Sequence, residues 1–148
     1  MKTKFELRGV EKLRMKLDFK KMMPNLLEAM NESTDCLKKE TQKQAPYKKG
    51  KLRKSIKTEK AHIEGKRIMG KVTIGKFYAP FLEKGTKKHP IKPKRKTGKK
   101  AIKFDGIIRV SAMHPGIRAR KFFEKAIKIS NEKIAKIFGK AINKFWGR

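Results

Sequence analysis

The chain has 148 residues, enough for one ordinary domain and too few for a second full one. It carries 43 Lys and Arg against 13 Asp and Glu, a net charge of +30, with 38% of residues charged and 37% hydrophobic. So low an apolar share limits the core and favours apolar faces shared between subunits, and so high a charge calls for a polyanion or an acidic partner surface.

Residues 3–8 alternate weakly and suggest a short edge strand, which Gly9 breaks. Val10, Leu13 and Leu17 share helical spacing and place a short helix at 10–22. Pro24 suits the first turn of a second helix. Its stripe runs Met23, Leu26, Leu27, Met30, Thr34, Leu37, Thr41, with Glu28, Glu32, Asp35, Lys38 and Lys39 on the other face. It should stop before Pro46, because the residue preceding a proline disfavours helix. Residues 46–50 read as a turn and Leu52 to Ile63 as extended chain. Gly65 marks a second turn, and Ile68, Gly70, Val72 and Ile74 alternate with Met69, Lys71 and Thr73, so two antiparallel strands joined near Gly65 are expected.

Phe77 to Leu82 is a compact apolar and aromatic cluster. From Lys84 to Lys103 there are ten basic residues and no acidic one, and Pro90 and Pro93 exclude regular helix, so this stretch is expected to be a loop, mobile when unpartnered. Ile102 to Val110 is strand-like, with a tight turn at Asp105-Gly106. A two-residue hairpin there sets Ile102 opposite Arg109; a bulge or wider loop is the alternative. After Pro115-Gly116 a long amphipathic helix should run to about Lys144, with the stripe Phe123, Ile127, Ile134, Ile137, Phe138, Ala141, Ile142, Phe145. Lys125, Lys128, Lys133, Lys136 and Lys140 fall mostly off that stripe, and interspersed acidic residues favour packing on a sheet over lying on a membrane.

Few residues carry reactive chemistry. Gly65-Lys66-Arg67-Ile68-Met69-Gly70-Lys71-Val72 nearly spells a phosphate-binding loop, but Val72 stands where a magnesium-holding Ser or Thr is required. His62, His89 and His114 lie far apart, none at metal-ligand spacing from a second ligand, and His89 and His114 each precede a proline. Cys36 stands alone, which excludes an intrachain disulfide and reads as a small apolar residue on a helix. Glu83 and Asp105 are the only carboxylates of the central region and do not suggest an acid/base pair. The expectation is a protein that is not an enzyme, without cofactor, metal or small-molecule substrate. No apolar run is long enough to cross a bilayer and Met1 to Phe5 lacks the core of a signal peptide, so a soluble, unsecreted chain is expected.

The basic stretch is the strongest functional signal. Lys87, Lys88, Lys92, Lys94, Arg95, Lys96, Lys99 and Lys100 are suited to tracking a phosphate backbone, with steep salt dependence, or to ordering against a neighbouring subunit. Lysine dominates arginine, so DNA contact is expected to be independent of base sequence, and no interleaved aromatics favour base stacking.

Four clusters together resemble one family. They are Ala45-Pro46 with Gly50-Lys51-Leu52-Arg53-Lys54-Ser55-Ile56; Tyr78-Ala79-Pro80-Phe81-Leu82-Glu83-Lys84-Gly85-Thr86; His89-Pro90-Ile91-Lys92-Pro93-Lys94 with Ala101 to Phe104; and His114-Pro115-Gly116 with Ala119 and Phe122-Phe123 through Ala126-Ile127. Their order and spacing are similar to the gp10-like tail-component, or neck, family of HK97-type siphophages. Arg120-Lys121 departs from the proline that family often has before the last phenylalanine.

The resemblance implies an α+β subunit: a small antiparallel sheet packed by an N-terminal helical segment and a long C-terminal helix, with a long basic loop. It implies a single head-tail joining domain over 1–148, assembled with copies of itself into a ring between head-closure and tail proteins, in the virion neck and, during assembly, the host cytoplasm. Genomic DNA would pass through the lumen, with the basic loop lining the channel or reaching an acidic neighbour. Gly50, Leu52, Ser55, Tyr78, Ala79, Glu83, Gly85, Thr86, His114, Pro115, Gly116 and Phe122 then have fold-forming roles. Gly50 and Gly85 would allow tight turns, and Tyr78 and Phe81 would anchor the segment after the strand, with Glu83 bonding locally. A free-standing nucleic-acid-binding protein would explain the charge equally well, but not the ordered motifs.

Overall fold

A computed structural model describes residues 19–65, 67–93, 101–104 and 107–147. The strand expected at 3–8 and the start of the helix expected at 10–22 lie outside these residues. Helix α1 (Phe19–Gln44) takes in residues 19–22, and Pro24 sits inside it instead of in a first turn. A proline this near the described helix start removes one bond, to the Lys20 carbonyl, a loss of about 3 kcal/mol that burial over the remaining turns outweighs.

The expected stripe of α1 is mostly half-buried, while Ala29, Ser33, Thr34, Glu40 and Thr41 are the buried positions. Small side chains there let α1 be flanked on one side by the C-terminal helix and on the other by the first hairpin.

Residues 51–54 correct the extended reading of 52–63, for they form a single helical turn, α2 (Lys51–Lys54). Gly50 opens it at φ 68°, in the left-handed region, and Ser55 closes it: its N–H and Oγ–H both donate to the Leu52 carbonyl, at 3.0 and 2.7 Å. Arg53 clamps the loop from within, donating through Nε and Nη2 to the Ala45 carbonyl at 3.0 and 2.8 Å while lying over the Tyr47 ring at 5.2 Å.

Strands β1 (Ile56–Glu64) and β2 (Arg67–Ile74) pair antiparallel from Ile56↔Ile74 to Glu64↔Arg67, as the alternation around Gly65 predicted. The register shifts between Glu59 and His62, a bulge opposite Gly70. Asn31 of α1 accepts the Ala61 N–H there at 2.7 Å, satisfying a donor that the irregular ladder frees. Gly70 lets the hairpin lie flat on α1: a Cβ would stand 2.7 Å from Thr34 Cγ2 and 2.8 Å from Met30 Cγ. Gly70→Ala should therefore cost about 1–3 kcal/mol by overpacking, read as a lower urea midpoint at unchanged m-value.

Helix α3 (Ala79–Lys84) follows, with Pro80 in its first turn. Ala45, Leu52, Ile56, Ala79 and Phe122 form the core cluster, with Val72, Ile74, Tyr78, Leu82 and Phe123 against it. Phe81 is not an anchor as expected: it is 48% exposed, and Tyr78, Ala79 and Leu82 turn inward instead.

The remaining strands make two further antiparallel pairs, so among the described residues there are three separate two-stranded sheets instead of one small sheet. β3 (His89–Ile91) pairs with β6 (Ala112–His114), and between them β4 (Ile102–Phe104) pairs with β5 (Ile107–Arg109). Five residues of the stretch read as loop, His89–Ile91 and Ile102–Lys103, thus belong to ladders, the last two also lying in the expected strand-like segment. Ile102 does face Arg109 and Phe104 faces Ile107, the register of the two-residue hairpin; Asp105 and Gly106 themselves lie outside the described residues.

Helix α4 (Phe122–Trp146) ends two residues beyond the expected position and packs along α1. Its inner line over the first turns is Phe122, Ala126, Ser130, one residue before the expected Phe123 and Ile127; Ile127 is 38% exposed. The Oγ atoms of Ser33 and Ser130 are buried without a hydrogen-bond partner. Ser130→Ala removes an unsatisfied hydroxyl at nearly constant volume and should leave stability unchanged or raise it by up to about 1 kcal/mol, whereas Ser130→Leu should loosen the α1–α4 contact; thermal melts compare the two.

Candidate functional site

The second and fourth motifs meet in space. The chain after α3 and the chain before α4 run side by side: Thr86 N–H donates to the Ile117 carbonyl at 2.8 Å, and Ile117 N–H to the Thr86 carbonyl at 3.1 Å and its Oγ1 at 3.0 Å. Arg120 N–H donates to the Leu82 carbonyl at 2.9 Å and Lys121 N–H to that of Glu83 at 3.2 Å. Gly85 (φ 74°) and Gly116 (φ 93°) let the two backbones approach this closely.

Glu83 acts at long range. Its carboxylate accepts the Phe123 N–H at 2.9 Å and the Glu124 N–H at 3.0 Å, capping the start of α4 from forty residues away. Local hydrogen bonding was expected of it, and only the paired backbones reveal its partners. Beside it, Lys128 and then Lys121 hold the Glu124 carboxyl below the ordinary carboxylate range. That stabilisation is present above the ordinary range and is lost as pH falls through the lowered folded value. Glu124→Gln should accordingly lower the neutral part of a stability-pH curve slightly and flatten its acid limb, so that the two curves converge at low pH.

Beyond this joint, the described residues of 86–117 form a nested arm: the Thr86–Ile117 bridge, then β3–β6, then β4–β5. Lys87, Lys88 and Lys92 are exposed along it; Lys94, Arg95, Lys96, Lys99 and Lys100 lie outside the described residues. Exposed apolar side chains accompany the cations, Ile108 at 72%, Val110 at 75% and Met113 at 58%, which composition alone did not mark out.

The arm also brings together two histidines that sequence distance kept apart. His89 and His114 face each other across β3–β6 with rings 5.0 Å apart and 24° from parallel. His89 Nδ1 lies 2.9 Å from the Lys87 carbonyl, which can only accept, so Nδ1 carries the proton. His114 Nδ1 accepts the Gly116 N–H at 3.0 Å. Both Nδ1 atoms are thus engaged in shaping turns. Among the described residues no three His, Cys, Asp or Glu side chains converge on a point that could hold a metal ion. His62 stands on the exposed hairpin and Cys36 half-buried on α1, away from this pair. The phosphate-loop-like stretch runs from a hairpin turn into β2, so it lacks the helix that would receive a phosphate.

The other motif residues take structural places. Gly50 and Ser55 bound the α2 turn, Leu52, Ala79 and Phe122 are buried, Tyr78 packs on the core, and Pro115 sits exposed in the bend before Gly116. No helix among the described residues is long and apolar enough to cross a membrane.

No curated protein and no solved structure gives a significant match. The family model of bacteriophage HK97-gp10, described as a tail-component, matches residues 7–85. That span is just over half of the chain and contains the first motif and, apart from Thr86, all of the second; their residues build the turn at Gly50 and the cap on α4. The chain belongs to the HK97-gp10-like family of bacteriophage tail components.

Proposed function

We propose that this chain is a building block of the phage neck or tail-completion complex, one copy in a ring that joins the head to the tail around the DNA channel. The observation that carries the reading is the nested arm, which sets exposed cations on a ladder braced at its base by the Thr86–Ile117 bridge. In a ring, such an arm reaches either inward to phosphates or sideways to an acidic face of a neighbour. The low apolar share and the exposed Ile108, Val110 and Met113 favour burial against other subunits over a free monomer.

Reversing Lys94, Arg95 and Lys96 to Glu, alone and together with Lys87, Lys88 and Lys92, tests the reading in a phage that depends on this gene. Filled heads and free tails should accumulate as separate particles in electron micrographs; normal infectious particles would remove the arm from the joint. A DNA titration against salt, with particle mass measured in parallel, addresses the rival reading. Weak binding by the monomer and assembly with head or tail components support the neck role, while tight binding by the monomer alone favours a free-standing nucleic-acid-binding protein.

A further inference from the structure

Outside the arm, a cleft of about 640 Å3 opens where three motif segments converge: the loop at 46–51, α3, and the strand of chain before α4. Its floor is apolar, made by Pro46, Leu52, Tyr78 and Leu82. Its rim carries Lys48, Lys49, Lys51 and Arg120, and among the described residues no carboxylate lines it. The geometry points to a docking site for an extended acidic peptide segment that inserts an apolar side chain, supplied by a protein neighbour of different sequence. This rests on the reading of the chain as one part of a multi-protein joint, which provides the neighbour.

Three observations favour this occupant. First, the walls are braced before any ligand arrives. Arg53 fastens the loop to the Ala45 carbonyl and backs the Tyr47 ring, and the Arg120 backbone is bonded to the Leu82 carbonyl at 2.9 Å. A preformed cleft spares the ordering cost of binding. Second, a second copy cannot supply the segment: each copy carries +30, and no two of its 13 acidic residues are adjacent in sequence. Third, an apolar floor under a cationic rim is more than a phosphate backbone needs. Exposed lysines elsewhere on the chain serve phosphates equally well, whereas Leu52, Leu82 and Pro46 reward a buried apolar side chain. The cationic rim steers the acidic flanks and sets the register, and the floor holds the anchor.

The test uses the purified full chain and fluorescence anisotropy with a labelled hexapeptide, Glu-Asp-Leu-Phe-Glu-Asp. Three comparisons are made: the same peptide with both apolar residues replaced by Ser, a K48E/K49E variant, and a K87E/K88E variant. Lys48 and Lys49 are exposed, so their reversal should leave the circular dichroism spectrum and melt unchanged. Binding is expected to weaken by about tenfold or more with the Ser peptide and with K48E/K49E, and to stay within about twofold with K87E/K88E. Absence of binding, equal binding of the Ser peptide, or equal sensitivity to the arm reversal would overturn the proposal. So would a single-stranded oligonucleotide that binds as tightly and loses as much affinity in K48E/K49E. The neck reading is judged separately by particle morphology in arm-reversed phage, so either conclusion can fail while the other stands.

Discussion

Gly116→Ala should lower stability by roughly 2–5 kcal/mol, a large share of what a small domain has, and release the arm from the body. Two effects add. At φ 93° an L side chain is strained, by about 1–2 kcal/mol. The new Cβ would also overlap the Thr86 carbonyl oxygen and stand 3.0 Å from the Lys87 carbonyl carbon. Both are backbone atoms held by the Thr86–Ile117 bonds, so the usual relief of a swinging side chain is denied, and overpacking adds about 1–3 kcal/mol. Gly65→Ala provides the control. Gly65 is also left-handed, at φ 59°, but a Cβ there meets nothing within 4 Å, so only the strain of about 1–2 kcal/mol should appear. Urea unfolding of the two variants separates conformational strain from collision; equal losses would contradict the tight joint.

Glu83→Ala should cost roughly 3 kcal/mol. Two hydrogen bonds to a charged acceptor vanish at once, each worth about 1.5–3 kcal/mol in its own right and less when shared and partly solvated. The first amides of α4 are left without that partner, and the favourable anion at the positive helix end is lost. Glu83→Gln keeps an acceptor oxygen without the charge and should lose about half as much. Hydrogen exchange locates the effect: the Phe123 and Glu124 amides should lose protection in Glu83→Ala while β1 and β2 keep theirs. Uniform loss across the chain would show that Glu83 matters to the body as a whole and not as a cap.

Much of the architecture was legible in the residues, and the exceptions share a cause. The β1–β2 hairpin could be read because Ile68, Val72 and Ile74 alternate with polar neighbours around Gly65, a period-two signal that a one-sided sheet requires. Helix α4 could be read because its apolar residues recur over seven turns. Its inner line was misplaced by one residue because Ala126 and Ser130 carry little hydrophobic signal, and it is their smallness that brings them inside, against α1. The α2 turn was hidden for a similar reason: what folds Lys51–Lys54 is the Ser55 closure and the Arg53 clamp, not an apolar pattern. The partners of Glu83 and the His89–His114 stack depend on pairing between segments twenty-five to forty residues apart, which no local pattern encodes. The motifs themselves were visible, but which of them touch was not.

The nested ladder has a consequence for how such proteins diversify. Both limbs of the arm return to the same pair of glycines, and the chain joining the outer to the inner ladder counts ten residues on one limb, 92–101, and two on the other, 110–111. Inserting or deleting residues in that longer limb changes a loop-closure entropy that grows only logarithmically, by about 0.6 kcal/mol per doubling. The body never senses the change, since the glycine crossing isolates it. Reach toward a differently sized neighbour can therefore drift by evolution while the helices and the first hairpin stay as they are.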